Sequence, residues 1–587
     1  MNTIHQSKAE VTKAENGEEM WAWVSGEHYA QLRETNAEDL LVRVWERFDL
    51  HEMEKACSEY RKYAGGRGQE ARHTTGQLVR AVMVKALKGW SLHEASREIC
   101  TNSLVRGFVG YRLDEKTLSY ATLQRFERWM SEHAPRVLFD EILRQIDGDF
   151  PTEGEQAQVG DTFALVANVA RQSRTELIRG VARHLEKAWR ALDPEQSGAG
   201  LTLEVREGLW GRADEAPEYW LDKDGRDERE RQTALAAYRF LCLAQAAQPK
   251  LPQQERVLQA IFERQAKILE KVLSDEFVFV QGENGEVSGV RHATEKERGS
   301  FVLGSSVDVD ATFRKHGDRS DLGYNIHVSA SHDFVREIFA TTGAVPDAAG
   351  VAALIAHQAE QGFRLPPKLI YDRAAGSPKT FHAVDLASQG QTQLVATLID
   401  HSKNKGRFGP LDFTLNEDGS LTCPAGQTTS TAYRSHTADG WTYRFSAAQC
   451  QACPLWDACR APRAETNSAE ELPTAPSTAK TKRKGPKADG YRQVFISSYR
   501  SAQRRAILYT QSEAFKADMK QRPAIERIIA ALVRYNGARR ARSTGLVNAD
   551  FQVRMAAVAY NLKHWLVLTL AQEKAQRYHP PPEDEDG

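Results

Sequence analysis

The sequence predicts a mixed α/β protein: an all-α N-terminal domain, then a strand-and-helix core broken by a large helical insertion. Three observations predict it. From Thr74 onward, apolar residues recur at helical spacing behind capping signals. Short segments of strand character stand at Val159–Leu165 and again after residue 300. Between them, from about 170 to 275, runs a helical stretch dense in Arg and Glu, of which Arg226–Arg231 is one example.

The bulk numbers set the class. At 587 residues the chain is long enough for about four domains. Hydrophobic content of 41% beside 27% charge is that of a soluble protein, and 78 basic against 79 acidic residues leave it near neutral. Residues 1–16 are polar, so no secretory leader is predicted. The apolar run 555–570 is broken by Lys563 and His564 and is too short to span a bilayer. Seven cysteines in so long a chain do not make a secreted disulfide framework. These readings predict a cytoplasmic protein with no membrane partner.

In chain order, residues 1–70 read as a polar helical segment and 71–146 as a compact helical domain. In the latter, Thr74 with Gln77 and Ser91 with Glu94 fit capping boxes. Its basic residues, among them Arg80, Lys85, Arg106 and Arg128, suit DNA binding, although a plain packing domain reads equally well. A core is expected over 155–400, with the helical insertion at about 170–275. Strict alternation predicts strands at Val307–Ala311 and Tyr324–Val328. Pro346 and Asp347 start a helix through Val351, Leu354 and Ile355. Lys368–Tyr371 reads as a buried strand ending on Asp372, and 394–399 as another. A cysteine-bearing insertion follows at 411–463, a flexible basic linker at 464–490, and the C-terminal part of the core at 491–575. With the insertion removed, this order matches a ribonuclease-H-like mixed sheet: three antiparallel strands, then alternating helix and strand.

Charge is concentrated near the end. From Arg500 to Lys563 there are 13 Lys and Arg against 4 Asp and Glu. Arg522 and Glu526, four apart, are expected on one face of a helix, ahead of Arg539, Arg540 and Arg542. A carboxylate in so basic a stretch is either half of an ion pair or a ligand holding a divalent metal against phosphate. Two-metal phosphoryl transfer needs carboxylates converging from separate elements. Asp161 on the first strand, Asp372 at a strand end and Glu526 on the late helix suit that arrangement. Asp308 and Asp310 are rivals for Asp161, and Asp347 fits better as a helix-start residue favoured by the dipole.

These residues carry a family resemblance. Val159-Gly-Asp161-Thr162, Gly323-Tyr324-Asn325, Thr341 to Asp347, Tyr371-Asp372-Arg373 and Arg522-x3-Glu526 stand in family order. So do Asn536 to Arg542, then Gln552 and Asn561-Leu-Lys563. The chain resembles the DDE transposases of bacterial insertion sequences, in the branch with a helical N-terminal domain and a cysteine cluster before the last motif. The likeness covers about 70–570. It departs at Met519 and Val533, where a tyrosine and a lysine are expected, and at Asn325, where a lysine is common.

The resemblance implies catalytic and Mg²⁺-binding (or Mn²⁺-binding) roles for Asp161, Asp372 and Glu526, with two ions per site. It implies DNA contacts from Arg373, Arg522, Arg527, Arg534, Arg539, Arg540 and Arg542. The partners it implies are double-stranded DNA, as element inverted repeats and as target, and a second copy of the chain in the synaptic complex, at the bacterial nucleoid. The alternatives are a non-catalytic DNA-binding derivative and a metal-dependent endonuclease without strand transfer.

Cys423, Cys450, Cys453 and Cys459 form a cluster with one CxxC pair. Four thiolates suit a structural Zn²⁺ held tetrahedrally. Free thiols and a redox pair are the other readings.

Overall fold

Two units make up the chain in the computed structural model, which describes residues 17–578 apart from 61–71, 196, 198–199, 253, 283–285, 399–406, 437 and 460–491. The linker expected at 464–490 lies outside the described residues. One unit comprises Met1–Gly350, Glu360–Arg364 and Pro523–Gly587, the other Val351–Ala359 and Leu365–Arg522. The fold is mixed α/β with a helical N-terminal region.

The first unit opens with α1 (Gly17–Thr35), α2 (Leu40–Arg47), α3 (His51–Ala56), α4 (Thr75–Lys88), α5 (Leu92–Thr101), α6 (Ser103–Val109), α7 (Tyr120–His133) and α8 (Val137–Asp149). Both predicted capping boxes are present. Thr74 Oγ1 accepts from the Gln77 N–H while Gln77 Oε1 accepts from the Thr74 N–H, and Ser91 and Glu94 repeat the arrangement. Gly89 ends α4 in the left-handed region, φ 69°, where a side chain would be strained. Leu78, Val82, Ile99, Phe126 and Met130 fill the core between these helices.

After β1 (Gln158–Val166) come four helices: α9 (Arg174–Leu192), α10 (Leu203–Trp210), α11 (Lys223–Ala247) and α12 (Arg256–Glu276). They close on their own apolar core of Trp189, Phe240, Phe262 and Leu269, so this insertion is a packed body and not only a solvated face. A hairpin follows, β2 (Phe277–Gln281) with β3 (Val287–His292), which the sequence did not signal. Then come β4 (Thr312–His316), β5 (Arg319–Ala330) and β6 (Val335–Thr342). The long β5 pairs antiparallel with β1 on one edge and with β4 and β6 on the other. At Gly323 a Cβ would lie 2.2 Å from the Leu165 carbonyl oxygen, so only glycine lets the two strands approach there.

The second unit runs through α13 (Val351–Glu360), β7 (Lys368–Ile370), α14 (Pro378–Ala387) and β8 (Gln393–Val395), with β7 and β8 parallel. Two small antiparallel sheets follow, β9 (Thr414–Leu415), β10 (Leu421–Thr422) and β11 (Thr428–Thr429), then β12 (Ala432–Arg434), β13 (Gly440–Phe445) and β14 (Arg492–Ser497). Short helices α15 (Ala447–Gln451) and α16 (Trp456–Cys459) carry Cys450 and Cys459, with Cys453 between them, and α17 (Arg500–Thr510) and α18 (Glu513–Met519) end the unit. Because β14 pairs with β13, Arg492–Ser497 joins the cysteine module. The chain then returns to the first unit with α19 (Ala524–Tyr535) and the 33-residue α20 (Leu546–Tyr578).

Two expectations need correction. No strand forms at 307–311; the segment is a turn whose carboxylates serve the end of the chain. Asp308 accepts from the Tyr324 hydroxyl at 2.7 Å and from the Gly545 N–H at 3.2 Å, and Asp310 accepts from the Leu546 N–H at 2.9 Å. Capping the start of α20 overrides the alternating pattern. Arg522 does not share a helix with Glu526 either. Pro523 is the N-cap of α19, and a residue before proline is driven out of helical conformation.

Candidate active site and cysteine module

Asp161 is half-buried in the middle of β1, and its Oδ1 accepts from the Thr162 N–H at 2.8 Å. Glu526 is exposed in the first turn of α19, and α19 packs against β1. The strand of one candidate carboxylate and the helix of another therefore touch inside the first unit. Asp372 belongs to the second unit, one residue past the buried Tyr371 that follows β7. Its Oδ1 accepts from the Ala374 N–H at 2.9 Å, which fixes the turn Arg373–Ala375. Gly376 closes that turn against the backbone, since a Cβ there would meet the Thr397 carbonyl oxygen at 1.9 Å.

The Arg-rich run lies beside β1. The Val166 N–H donates to Arg539 O at 3.1 Å, and the Ala541 N–H donates to Val166 O at 2.8 Å, a short parallel bridge. Gln552 braces the same run, donating to Gly537 O and Arg540 O and accepting from the Arg542 N–H. Arg527, Arg534, Arg539 and Arg540 are exposed in the first unit and Arg373 in the second. Arg542 is used differently. Its guanidinium donates to Trp90 O at 2.9 Å and Gly89 O at 3.0 Å, so it ties the C-terminal end of α4 to the run. Asn561 and Lys563 also serve the fold. Asn561 pairs with both backbone groups of Val335, and Lys563 donates to Asn536 Oδ1.

A groove of about 980 Å³ lies between α4, α5 and α7 on one side and residues 536–556 on the other. Lys85, Arg128, Arg540, Asn548 and Gln552 line it, with Glu94, Glu127 and Glu132 among them. Lys85 is already paired with Glu127 at 2.7 Å.

On the opposite face of β1 from Asp161 sits a buried polar layer that sequence reasoning missed. Thr162 stands across from His327 on β5, and Asn325 lies two residues along. Both β5 residues are fully buried. Burial pushes His327 down to about 4, so its ring is neutral at physiological pH. Asp347, expected as a helix-start residue, does stand at the head of a short turn, but its carboxylate faces this layer. Burial alone would raise its pKa. Hydrogen bonds from Asn325 and Thr162, with the Arg314 charge, hold it below the ordinary carboxylate value.

Asp227, Glu230 and His292 bring their ligand atoms within 4.8 Å of one another. None of them is a predicted site residue. Glu230 lies 3.1 Å from Arg174 and 3.0 Å from His292, and Arg174 also reaches Glu276 at 2.8 Å. The group therefore reads as an ion-pair network clamping the helical insertion to its hairpin.

In the second unit the four clustered cysteines line one small cavity with Phe413, Phe445, Trp456 and Arg492. The Gln427 N–H donates to Cys423 Sγ at 3.3 Å, and the Cys453 N–H to Cys450 O at 3.2 Å. Burial raises the Cys459 thiol; Arg492 opposes the shift, and the other three sulfurs add to it. All seven cysteines are free thiols.

Comparison with known families defines the class of protein. Residues 422–566 match a transposase DDE domain, and residues 29–129 match a second transposase domain. Over these two stretches the chain is similar to the DDE transposases of insertion sequences. The first match contains Glu526 and all four clustered cysteines, and the second covers α2 to most of α7. Searches of curated proteins and of solved structures return no match. Among the described residues, no helix is long and apolar enough to cross a membrane.

Proposed function

We propose that the protein binds the inverted-repeat ends of its own insertion sequence, cleaves them and joins them to target DNA, acting as a homodimer on double-stranded DNA in the bacterial cytoplasm. The observation that carries this reading is the packing of the Glu526 helix against the Asp161 strand, with the Arg539–Arg540 run bridged to the same strand. Acids among exposed arginines suit a site that holds metal against a phosphate backbone.

Asp161, Asp372 and Glu526 would hold two Mg²⁺ (or Mn²⁺) ions. The donor set fits: all three offer hard oxygen ligands, and two have one oxygen steadied by a backbone N–H. When bound, the ions activate the attacking water or hydroxyl and stabilise the leaving oxygen. The chain's own part is to seat the DNA. Arg373, Arg527, Arg534, Arg539 and Arg540 neutralise phosphates, and the groove faced by α4, α5 and α7 receives the element end. Arg522, in the turn before Pro523, would add a further phosphate contact. Arg542 contributes by fixing the groove wall.

The test is direct. Purified protein is incubated with Mg²⁺, linear DNA carrying the sequence that flanks its coding region, and a supercoiled target plasmid. Cut ends and target molecules joined to them are expected. Cutting without joining leaves an endonuclease, and binding with neither leaves a DNA-binding derivative.

The cysteine module would hold one structural Zn²⁺. Four thiols lining one cavity supply the sulfur donors zinc takes in structural sites, and a backbone N–H to Cys423 Sγ would steady a thiolate there. About one zinc per chain is expected in protein purified without chelator, and Cys450→Ser should lose most of it. Active protein with essentially no zinc overturns this assignment.

A further inference from the structure

A strand turns alternate side chains to opposite faces, so Asp161 and Thr162 share a peptide but not a face. That peptide N–H is the group donating to Asp161 Oδ1 at 2.8 Å. Whatever holds Thr162 also holds the donor that steadies the Asp161 carboxylate. Thr162 is held from two sides. Arg314 of β4 donates to Thr162 Oγ1 at 2.9 Å and lies 3.5 Å from Asp347. The Thr162 hydroxyl in turn hydrogen-bonds the Asp347 carboxylate. Asp347 is itself pinned by Asn325, whose Nδ2 donates to its Oδ1 at 2.8 Å and to Val345 O at 3.0 Å.

Buried polar groups are costly unless satisfied. A layer of threonine, asparagine, histidine and a charged pair beneath a core strand is therefore poor economy for packing alone, and departures of this kind cluster at functional sites. We infer that Thr162, Arg314 and Asp347 are positioning residues for Asp161, fixing the orientation of its carboxylate through the shared peptide from the far side of the sheet. The inference rests on the proposed role of Asp161 as a metal ligand. The Thr162 hydroxyl accepts from Arg314 and donates to Asp347, so it is the joint of the set. A methyl in its place keeps the volume and removes both bonds.

The test uses the full chain, without DNA and without turnover. Mn²⁺ is titrated and the free ion followed by electron paramagnetic resonance, and the unfolding midpoint of the metal-free protein is recorded in parallel. Thr162→Val and Asp347→Asn should each weaken Mn²⁺ binding about tenfold, the scale of lost outer-shell partners. Thr162→Ser, which keeps the hydroxyl, should bind as the unaltered chain does. If both variants fold and bind Mn²⁺ normally while Asp161→Asn does not, the positioning role is wrong and the metal site survives. If Asp161→Asn binds Mn²⁺ normally, the proposed active site has failed first. Should Thr162→Val not fold, Asp347→Asn decides by the same measurement, because the amide still accepts from Asn325.

Discussion

Replacing Asp161, Asp372 or Glu526 with its amide should abolish DNA cleavage and leave DNA binding in place. The amides preserve the local structure. Asn at 161 still offers an oxygen to the Thr162 N–H, and Asn at 372 still caps the turn through Ala374. Glu526 is exposed in the first turn of its helix, so Gln costs the fold little. What each change removes is a negative charge from a site proposed to hold two divalent cations. Cleavage should fall about a hundredfold or more, the scale at which one electrostatic contact to a transition state is lost. Binding should persist because it comes from Lys and Arg contacts to phosphate, and it should be steeply salt-dependent. Ca²⁺ should support binding with little cutting, since its looser coordination positions the nucleophile poorly. Asp310→Asn is the control. Its carboxylate is engaged at the start of α20, and an amide oxygen can still accept from the Leu546 N–H. Gel-shift and cleavage assays on one set of preparations decide the matter. Loss of cleavage in Asp310→Asn with activity retained in Asp161→Asn would move the first-strand ligand, and activity in all three amides would remove the site.

What could be read ahead of the structure was set by short-range chemistry. A capping box needs two side chains three residues apart, so Thr74 with Gln77 and Ser91 with Glu94 were visible as written. The strands around Asp161 and Tyr324 show because apolar residues recur at every second position along them, and the cysteine cluster shows because its spacing is local. The misreadings have the opposite origin. The segment 307–311 alternates like a strand, but its acids are claimed by Tyr324 and by Gly545 and Leu546, more than 200 residues away. Arg522 looks helical by spacing until Pro523 is weighed. The expected phosphate contact of Arg542 is a separate matter from its bonds to the Gly89 and Trp90 carbonyls, which only the fold brings to it. The layer beneath Asp161 was hidden for the same reason, since Thr162, Arg314, Asn325 and Asp347 are far apart in sequence. The family motifs were legible as an order of residues, but their division of labour was not. Gln552, Asn561 and Lys563 stand among the last of these motifs and bind backbone or an asparagine of the fold itself.

Glu337 should prove the most sensitive structural residue of the first unit. It lies on β6 with no exposed surface and joins three elements by charge. Arg136, at the start of α8, holds it in two bonds of 3.0 and 2.8 Å, and Arg554 of α20 reaches it at 3.1 Å. Asp140 pairs with Arg136 and Asp550 with Arg554, and Asp550 also accepts from the Ala340 N–H of β6. Burial on its own would lower the Arg136 pKa, but the bonds and charge of Glu337 more than offset it, so the guanidinium stays charged. Glu337→Ala removes the acceptor shared by two nearly buried guanidinium groups and leaves a void beside them. Breaking a buried pair from one side costs about 3–5 kcal/mol, because the remaining charge has been taken out of water without its partner. Glu337→Gln fills the space and neutralises the surplus of three acids over two arginines, but turns an amide N–H₂ toward a guanidinium. Its cost should be smaller, about 1–3 kcal/mol for a buried polar group left unsatisfied. Hydrogen exchange of β6 and α20 amides is the measurement, since a chain of two units need not unfold in a single step. Protection of both elements should drop together in Glu337→Ala, and less in Glu337→Gln, while amides of the second unit keep theirs. An alanine variant with protection unchanged in β6 and α20 would mean that packing of α20 on the strand, not the charge network, holds this layer.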